Sequence, residues 1–223
     1  MKNNIFMICL IFSVNGFGKK CPTADPTWWT EDTTSQAKKS WEILPSQVKK
    51  GQLILSKRNA LGQFSNLAPT AFVFEGDYYA SLEALWQMMK YPNPNLSEDP
   101  RNTYALKFPY TRDEVRLLAN MESKKAGDAA NALNKKNGVK EISYEATFFD
   151  YKDKAAGSSR HYEIIFAASV EKLRQNPKLI DLLLRTCDLE LLPDHKISSD
   201  RPNSYFYNQI YMKLRDKIRK NEL

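Results

Sequence analysis

The sequence predicts an α+β protein, a predominantly helical single domain with a small β-hairpin or sheet. Short β-prone runs lie within residues 52–79, and most of the chain after them has apolar residues at the 3.6-residue spacing of helices. The composition, 42% apolar and 26% charged over 223 residues, is that of a folded globular protein. It excludes a disordered or fibrous chain.

The first residues have the layout of a secretory signal peptide. One lysine precedes an apolar run at residues 5–14, and the small residues Gly16 and Gly18 follow it. At about ten residues the run is too short to cross ~30 Å of hydrocarbon as a helix, so no membrane span is expected. A buried N-terminal helix is the alternative, but the run has no polar face. With a signal peptide the protein is expected to be secreted or periplasmic, and otherwise cytoplasmic.

Three regions are therefore predicted, namely a signal peptide at 1–18, an irregular N-terminal arm at 19–50 and a folded domain at 51–223. The arm is rich in Thr, Pro and Ser and contains two adjacent tryptophans, Trp28 and Trp29. Such a pair indicates that the arm docks on the domain.

Cysteines and histidines are few. Cys9 would leave with the signal peptide, and Cys21 and Cys187 would then either form one disulfide or remain as free thiols. The chain has two histidines and no CxxC, P-loop, GxGxxG, GxSxG or HExxH motif. No metal site and no cofactor are therefore expected.

The domain opens with strands and a first helix. The run "QLILS" predicts a strand, and "AFVFEGDYYAS" predicts a hairpin that turns at Glu75-Gly76-Asp77. Ser81 is a suitable N-cap for a helix from Leu82 to about Tyr91, which "PNPN" ends.

The remaining segments predict helices with recognisable ends. One begins near Thr111, and an Ala-rich helix ends at Asn137-Gly138. A long helix closes at Asn176-Pro177, where the next one starts with proline in its first turn. The last helix is expected at about residues 204–219.

The helix from Leu82 has two faces. Its apolar stripe consists of Leu82, Leu85, Trp86 and Met89. Glu83, Gln87 and Lys90 share a neighbouring face, which is either solvated or lines a pocket. A first-turn glutamate is also a routine partner of the helix dipole, so spacing alone does not decide.

The segment "GQFSNLAPTAFVFEGDYYASLEALWQMMKYP" contains an F-S-N loop, a short hairpin and the helix pattern S-x-E-x-x-[aromatic]-Q-x-x-K. This order resembles the NADAR superfamily, the YbiA-like N-glycosidases, whose members show an "LSNF"-type loop, a hairpin and a "VEHxxQAxK" helix. Downstream, "KKAG", "LRQNPKLIDLLLRTCDLELL" and "YMKLRDKIR" are similar to further family segments. Order and spacing agree over about residues 52–219.

The chain departs from the family pattern at several positions. Ala84 replaces the usual histidine after the helix glutamate, and Phe149 and Tyr151 are the nearest aromatics to a family tryptophan. The "D-x-x-W-G" segment is reduced, which leaves Asp200 as its best carboxylate and Tyr205 or Phe206 as its aromatic residue.

The resemblance implies hydrolysis of an N-glycosidic bond to ribose, in a nucleotide-pathway intermediate or an ADP-ribosylated base. Cleaving that bond builds positive charge at the anomeric carbon, which a carboxylate stabilises. Glu83 is expected to polarise water and hold the ribose hydroxyls, with Asp200 as a supporting carboxylate. The expected substrate-binding residues are Ser65, Asn66, Gln87, Lys90, Phe149, Tyr151, Arg201 and Tyr205. Among them, Lys90 and Arg201 would meet phosphate oxygens.

The net charge of +7 favours an anionic partner, here a nucleotide or ADP-ribosyl substrate, with ADP-ribosylated nucleic acid as one form of it. The basic residues are scattered apart from "KLRDKIRK", so nucleic-acid binding is not expected as the main role. Two alternatives remain, namely a non-catalytic binder of nucleotide or ADP-ribose and a secreted effector acting on nucleotides.

Overall fold

The computed structural model describes residues 24–30, 39–150 and 159–223. The expected signal peptide at 1–18 and Tyr151 lie outside these ranges. Cys187 is disulfide-bonded, and the other two cysteines also lie outside the described residues. Within the described ranges, no helix combines the length and apolarity that a membrane crossing requires.

The predicted α+β class is confirmed, with strands in three separate pairs. The strands are β1 (Gln52–Ile54), β2 (Phe72–Phe74), β3 (Asp77–Tyr79), β4 (Ile142–Tyr144), β5 (Thr147–Phe149) and β6 (Glu190–Leu192). β2–β3 and β4–β5 are antiparallel hairpins, whereas β1 and β6 pair in parallel. The first hairpin was predicted from its turn, and the second was not.

Helices are the predominant secondary structure of the described chain. They are α1 (Leu82–Met88), α2 (Arg112–Arg116), α3 (Asn120–Lys136), α4 (Arg160–Arg174), α5 (Pro177–Arg185) and α6 (Tyr207–Arg219). Short 3₁₀ helices connect them, of which Pro100–Lys107 is the longest. The last helix begins later than predicted because a 3₁₀ turn at Asn203–Tyr205 precedes it.

Helix α1 lies inside the domain and packs against α2, α3 and α4. The Ser81 hydroxyl caps it by accepting from the backbone N–H of Ala84 at 3.0 Å, as predicted. The helix ends at Met88 rather than near Tyr91. Pro92 explains the early end, because it has no N–H to donate to the carbonyl of Met88 and its ring would clash with that carbonyl in a continued helix.

The described part of the N-terminal arm packs on the domain. Trp28 is 2% exposed and belongs to the core. The indole N–H of Trp29 donates to the carbonyl of Gln52 at 2.9 Å, which ties the arm to β1.

Candidate functional site

The polar face of α1 is covered by α3 and is not a solvated surface. Gln87 and Lys90 are each 6% exposed. Gly127 of α3 allows the two helices to approach closely, because a Cβ at this position would lie 1.8 Å from Oε1 of Gln87. The side chains on this face therefore lie at a helix–helix boundary, where electrostatic interactions are stronger than in water.

Glu83 lies at the start of this face and is held at two points. Its backbone N–H donates to the carbonyl of Asn66 at 2.8 Å, and its Oε1 accepts from Nε2 of Gln87 at 2.6 Å. The side chain keeps partial contact with solvent. Burial nevertheless raises the pKa of Glu83, although the Gln87 hydrogen bond and the charge of Lys90 act in the opposite direction.

Lys90 is the cation of this face. Burial lowers its pKa to about 8, while the nearby charges of Glu83 and Asp128 work to raise it. The carbonyl of Lys90 accepts from Nδ2 of Asn134 at 2.8 Å, which anchors the end of this segment to α3. At neutral pH the group is therefore still mostly the ammonium cation, and it loses this charge at a lower pH than an ordinary lysine.

A buried lysine holds the F-S-N loop by hydrogen bonds to its backbone carbonyls. Lys172 of α4 is fully buried, and its Nζ donates to the carbonyls of Gln63 and Ser65 at 2.9 and 3.3 Å. Burial lowers the pKa of Lys172 to about 7. Oγ of Ser65 accepts from the backbone N–H of Leu67 at 3.3 Å, so this hydroxyl takes part in the turn itself.

Two buried amide oxygens next to Glu83 have no donor among the described residues. They are Oδ1 of Asn66 and Oε1 of Gln87. A buried polar atom without a partner is uncommon in folded proteins and costs about 1–3 kcal/mol. Asn66 accepts from the backbone N–H of Glu83 through its carbonyl, and Gln87 donates to the Glu83 carboxylate through Nε2, while its Oε1 faces Gly127 of α3.

An aromatic cluster lies on the neighbouring side of α1. Trp86 is 5% exposed, as its position on the apolar stripe predicted. Its ring meets those of His161 and Tyr205 edge-on at centroid distances of 4.3 and 4.8 Å, and the Phe149 ring lies 6.3 Å from that of His161. Nδ1 of His161 lies 3.1 Å from Oγ of Ser204.

Asp200 and Arg201 lie on the surface. Both are exposed, and the guanidinium carbon of Arg201 lies 5.4 Å from the centre of the Tyr205 ring. The structure therefore brings Asn66, Gln87 and Lys90 to Glu83. It places Tyr205 and Phe149 around Trp86, one residue before Gln87. Asp200 has no contact with Glu83 among the described interactions.

Several residues that build this site have no recognisable signal in the sequence. Gly127 falls within "KKAG", a motif that marked the family segment, but its role as the point of closest helix approach needs the packed structure. Asp128 follows Gly127 in α3, and its negative charge acts to raise the pKa of both Glu83 and Lys90. Lys172 and His161 occupy ordinary positions in a helical pattern. Among the described residues, no group of three acidic, histidine or cysteine residues could hold a metal ion.

Comparison with known proteins gave one structural likeness. No sequence-family profile and no curated protein matches the chain. The NMR structure of the E. coli protein YbiA is similar to it, with a TM-score of 0.48 and 17% sequence identity over 78% of this chain and 89% of that one. This is the protein whose name the resembled family carries, and the likeness concerns the overall architecture alone.

Proposed function

We propose that the protein is an N-glycosidase that hydrolyses the bond between ribose and a nitrogen base in a ribosylated or ADP-ribosylated substrate. The main support is the Glu83 carboxylate itself, which Gln87 orients through a 2.6 Å hydrogen bond near the charge of Lys90. Ribose presents vicinal hydroxyl groups that can donate to this carboxylate.

Glu83 supplies the charge that this reaction needs. Departure of the base leaves a ribosyl group with oxocarbenium character, and a carboxylate beside the anomeric carbon stabilises it. The same carboxylate accepts a proton from the attacking water. A raised pKa brings Glu83 closer to the working pH of a general base. The hydrogen bond from Gln87 keeps the carboxylate in one orientation.

The neighbouring residues suit the two ends of a nucleotide. Lys90 lies on the Glu83 face and provides a cation for phosphate oxygens. Tyr205, with Arg201 above its ring, offers a surface on which a base can stack. The family resemblance assigns these same residues to substrate binding, and its implied activity matches this chemistry.

Activity should be tested on the purified chain with three substrates, namely ADP-ribosylated DNA, NAD and pyrimidine ribosylamine phosphates. Mass spectrometry would follow the released base and the ribosyl product. Glu83→Gln keeps the shape and the Gln87 contact but removes the charge, so turnover should fall at least about a hundredfold. Near-normal turnover of this variant would reject the assigned role.

Glu163→Gln is the matched control, because Glu163 is also a first-turn glutamate, on α4, and is exposed. If Glu83 acted only on its helix dipole, the two substitutions would have similar small effects. Tight nucleotide binding by the unmodified chain without release of a base would instead identify the non-catalytic binder.

We also propose that the protein is exported. The disulfide at Cys187 supports this, because disulfides persist in oxidising compartments. An exported enzyme would meet nucleotides or nucleic acids outside its own cell, as an effector does. Expression of the full chain with an epitope tag at its C-terminus, followed by fractionation, tests it. Protein retained in the reducing cytosol at full length would contradict export.

A further inference from the structure

A polar cavity of about 210 Å³ lies between the two hairpins, away from the Glu83 face. Met88 of α1 lines it, and Met88 lies about 140° around the helix from Glu83. Glu75 at the first hairpin turn and Glu145 at the second contribute to its rim, and both are exposed. The proposed N-glycosidase site does not use this cavity.

Two of the four charged side chains that line the cavity are paired with residues outside it. Asp77 forms an ion pair with Arg116, and Glu145 forms one with Arg160 at 3.2 Å. Two opposite charges remain, one on Glu75 and one on Arg112. Neither of these has an ion-pair partner among residues 24–30, 39–150 and 159–223.

Arg112 lines the cavity, is partly buried and is fixed by neutral acceptors. Its NH1 donates to the carbonyl of Tyr91 at 3.1 Å and to Oγ of Ser143 at 3.2 Å. Its NH2 donates to the carbonyl of Ser143 at 2.6 Å. The guanidinium group is thus positioned, but no carboxylate of the described chain neutralises it, and such an uncompensated buried charge is costly.

Glu75 lines the same cavity and is exposed. Its Oε2 accepts from the hydroxyl of Tyr144 at 2.6 Å, which fixes the carboxylate without neutralising it. Glu75 has a φ of 51°, in the left-handed region where such a hairpin turn favours Asn, Asp or Gly. A glutamate at this position therefore has a conformational cost.

A further polar group in the cavity also lacks a partner. Tyr79 is completely buried and lines the cavity, yet its hydroxyl makes no hydrogen bond of acceptable geometry within the described chain. The hydroxyl of Tyr144 is near enough to affect the pKa of Tyr79, which burial raises. A buried hydroxyl that faces a cavity can be satisfied by a bound molecule.

We propose that this cavity binds a small zwitterion of the size and charge of an α-amino acid. Its carboxylate would pair with Arg112 and accept from the hydroxyl of Tyr79, and its ammonium group would pair with Glu75. One uncompensated cation and one uncompensated anion require one charge of each sign. A phosphate dianion would leave excess negative charge beside the acidic rim, and the described carboxylates form no metal-binding group.

The test begins with thermal shift and calorimetry on the full chain, using the common L-α-amino acids at millimolar concentration. At least one should bind. Its deaminated and decarboxylated analogues, which keep the same side chain, should each bind at least about tenfold more weakly, because each loses one charge pair. Absence of binding by every amino acid, or equal binding of either analogue, would overturn the proposal.

Two variants then locate the binding. Glu75→Gln and Tyr79→Phe should each weaken binding at least about fivefold, while the exposed Glu141→Gln, outside the cavity, should leave it unchanged. Tyr79→Phe should not lower the stability of the unliganded protein, because the hydroxyl that it removes has no partner. Unaltered binding in both cavity variants would place the ligand elsewhere and reject this site.

Discussion

The backbone N–H of Glu83 donates to the carbonyl of Asn66 at 2.8 Å, which joins the F-S-N loop to the first turn of α1. Lys172 holds the same loop from the opposite side through the carbonyls of Gln63 and Ser65. The position of the proposed catalytic carboxylate thus depends on a lysine of α4, 89 residues further along the chain. The charge on that lysine should affect both stability and the site.

The first prediction concerns Lys172→Met. The pKa of Lys172 is about 7 in the folded protein, against about 10.4 in an unfolded chain. Between these values the unfolded chain binds more protons, so the stability of the wild-type protein rises with pH, and its full penalty is present below pH 7. The difference in unfolding free energy between wild type and variant should shift in favour of wild type by up to about 3 kcal/mol from pH 7 to 9.5.

Urea unfolding of both proteins at several pH values measures this difference. Tyrosine titration also changes the stability at alkaline pH, but its contribution cancels in the difference because both proteins contain the same tyrosines. Lys178→Met, at an exposed position of α5, is the control and should show no such trend. A difference that is constant with pH would mean that Lys172 does not titrate in this range.

Local chemistry made part of the fold predictable. Ser81 as N-cap and Glu75-Gly76 as a hairpin turn were correctly read from short-range signals. The second hairpin was missed because its turn, Glu145-Ala146, contains no Gly, Asn or Asp. The parallel pairing of β1 with β6 was also missed, because a contact between such distant segments has no local signal.

The candidate site likewise has features with a local sequence signal and features that depend on distant contacts. Helical spacing placed Glu83, Gln87 and Lys90 on one face, but burial of that face depends on the close approach of Gly127. The interaction of Lys172 with the loop joins distant parts of the chain and had no sequence signal. Asp200 was predicted only from the reduced family segment around it, and the structure leaves it exposed at the surface.

The second prediction concerns Gly127→Ala. The new methyl group would overlap the Gln87 amide, so this side chain must leave its contact with Glu83. Overpacking should cost about 1–3 kcal/mol, reduced by the higher helix propensity of alanine. Turnover should fall at least about tenfold. The double variant with Gln87→Ala should recover the stability lost to the clash, which unfolding measurements on the four proteins would show as strong non-additivity.

Lys125→Ala, at an exposed position in the same helix, controls for helix propensity and should leave turnover unchanged. If Gly127→Ala were as active as this control, close helix approach would not be needed to position Gln87.

The third prediction is a bell-shaped pH profile of kcat/KM, which reports groups of the free enzyme. On the acid side activity should fall at a pH above the ordinary glutamate value of about 4.3, because burial raises the pKa of Glu83. On the alkaline side it should fall near pH 8, where Lys90 loses its charge and its attraction for phosphate. Lys90→Met should lower kcat/KM and remove the alkaline fall. A fall that persists in this variant would have another origin.

The fourth prediction concerns the buried ion pair of Asp99 and Arg101, which are 2% and 0% exposed. Arg101 also donates to the carbonyl of Met89 and to Oγ of Ser143, so it connects the end of the α1 segment to β4. Removing one partner leaves the other charge buried, and Asp99→Asn should therefore destabilise the protein by about 3–5 kcal/mol in urea unfolding. A loss below about 1 kcal/mol would show that water or rearrangement compensates the arginine.

The exposed pair of Asp113 and Arg116, at 2.6 Å, provides the control. Asp113→Asn should cost at most about 1 kcal/mol, because solvent screens that pair. The two variants should also differ in acid. Burial alone would raise the pKa of Asp99, but hydrogen bonds from Arg101 and from the backbone N–H of Asn93 outweigh it and hold the pKa below its ordinary value. Its stabilising contribution is therefore complete above about pH 4 and is lost as the pH falls further. Asp99→Asn should lack this acid-dependent loss, whereas Asp113→Asn should retain it.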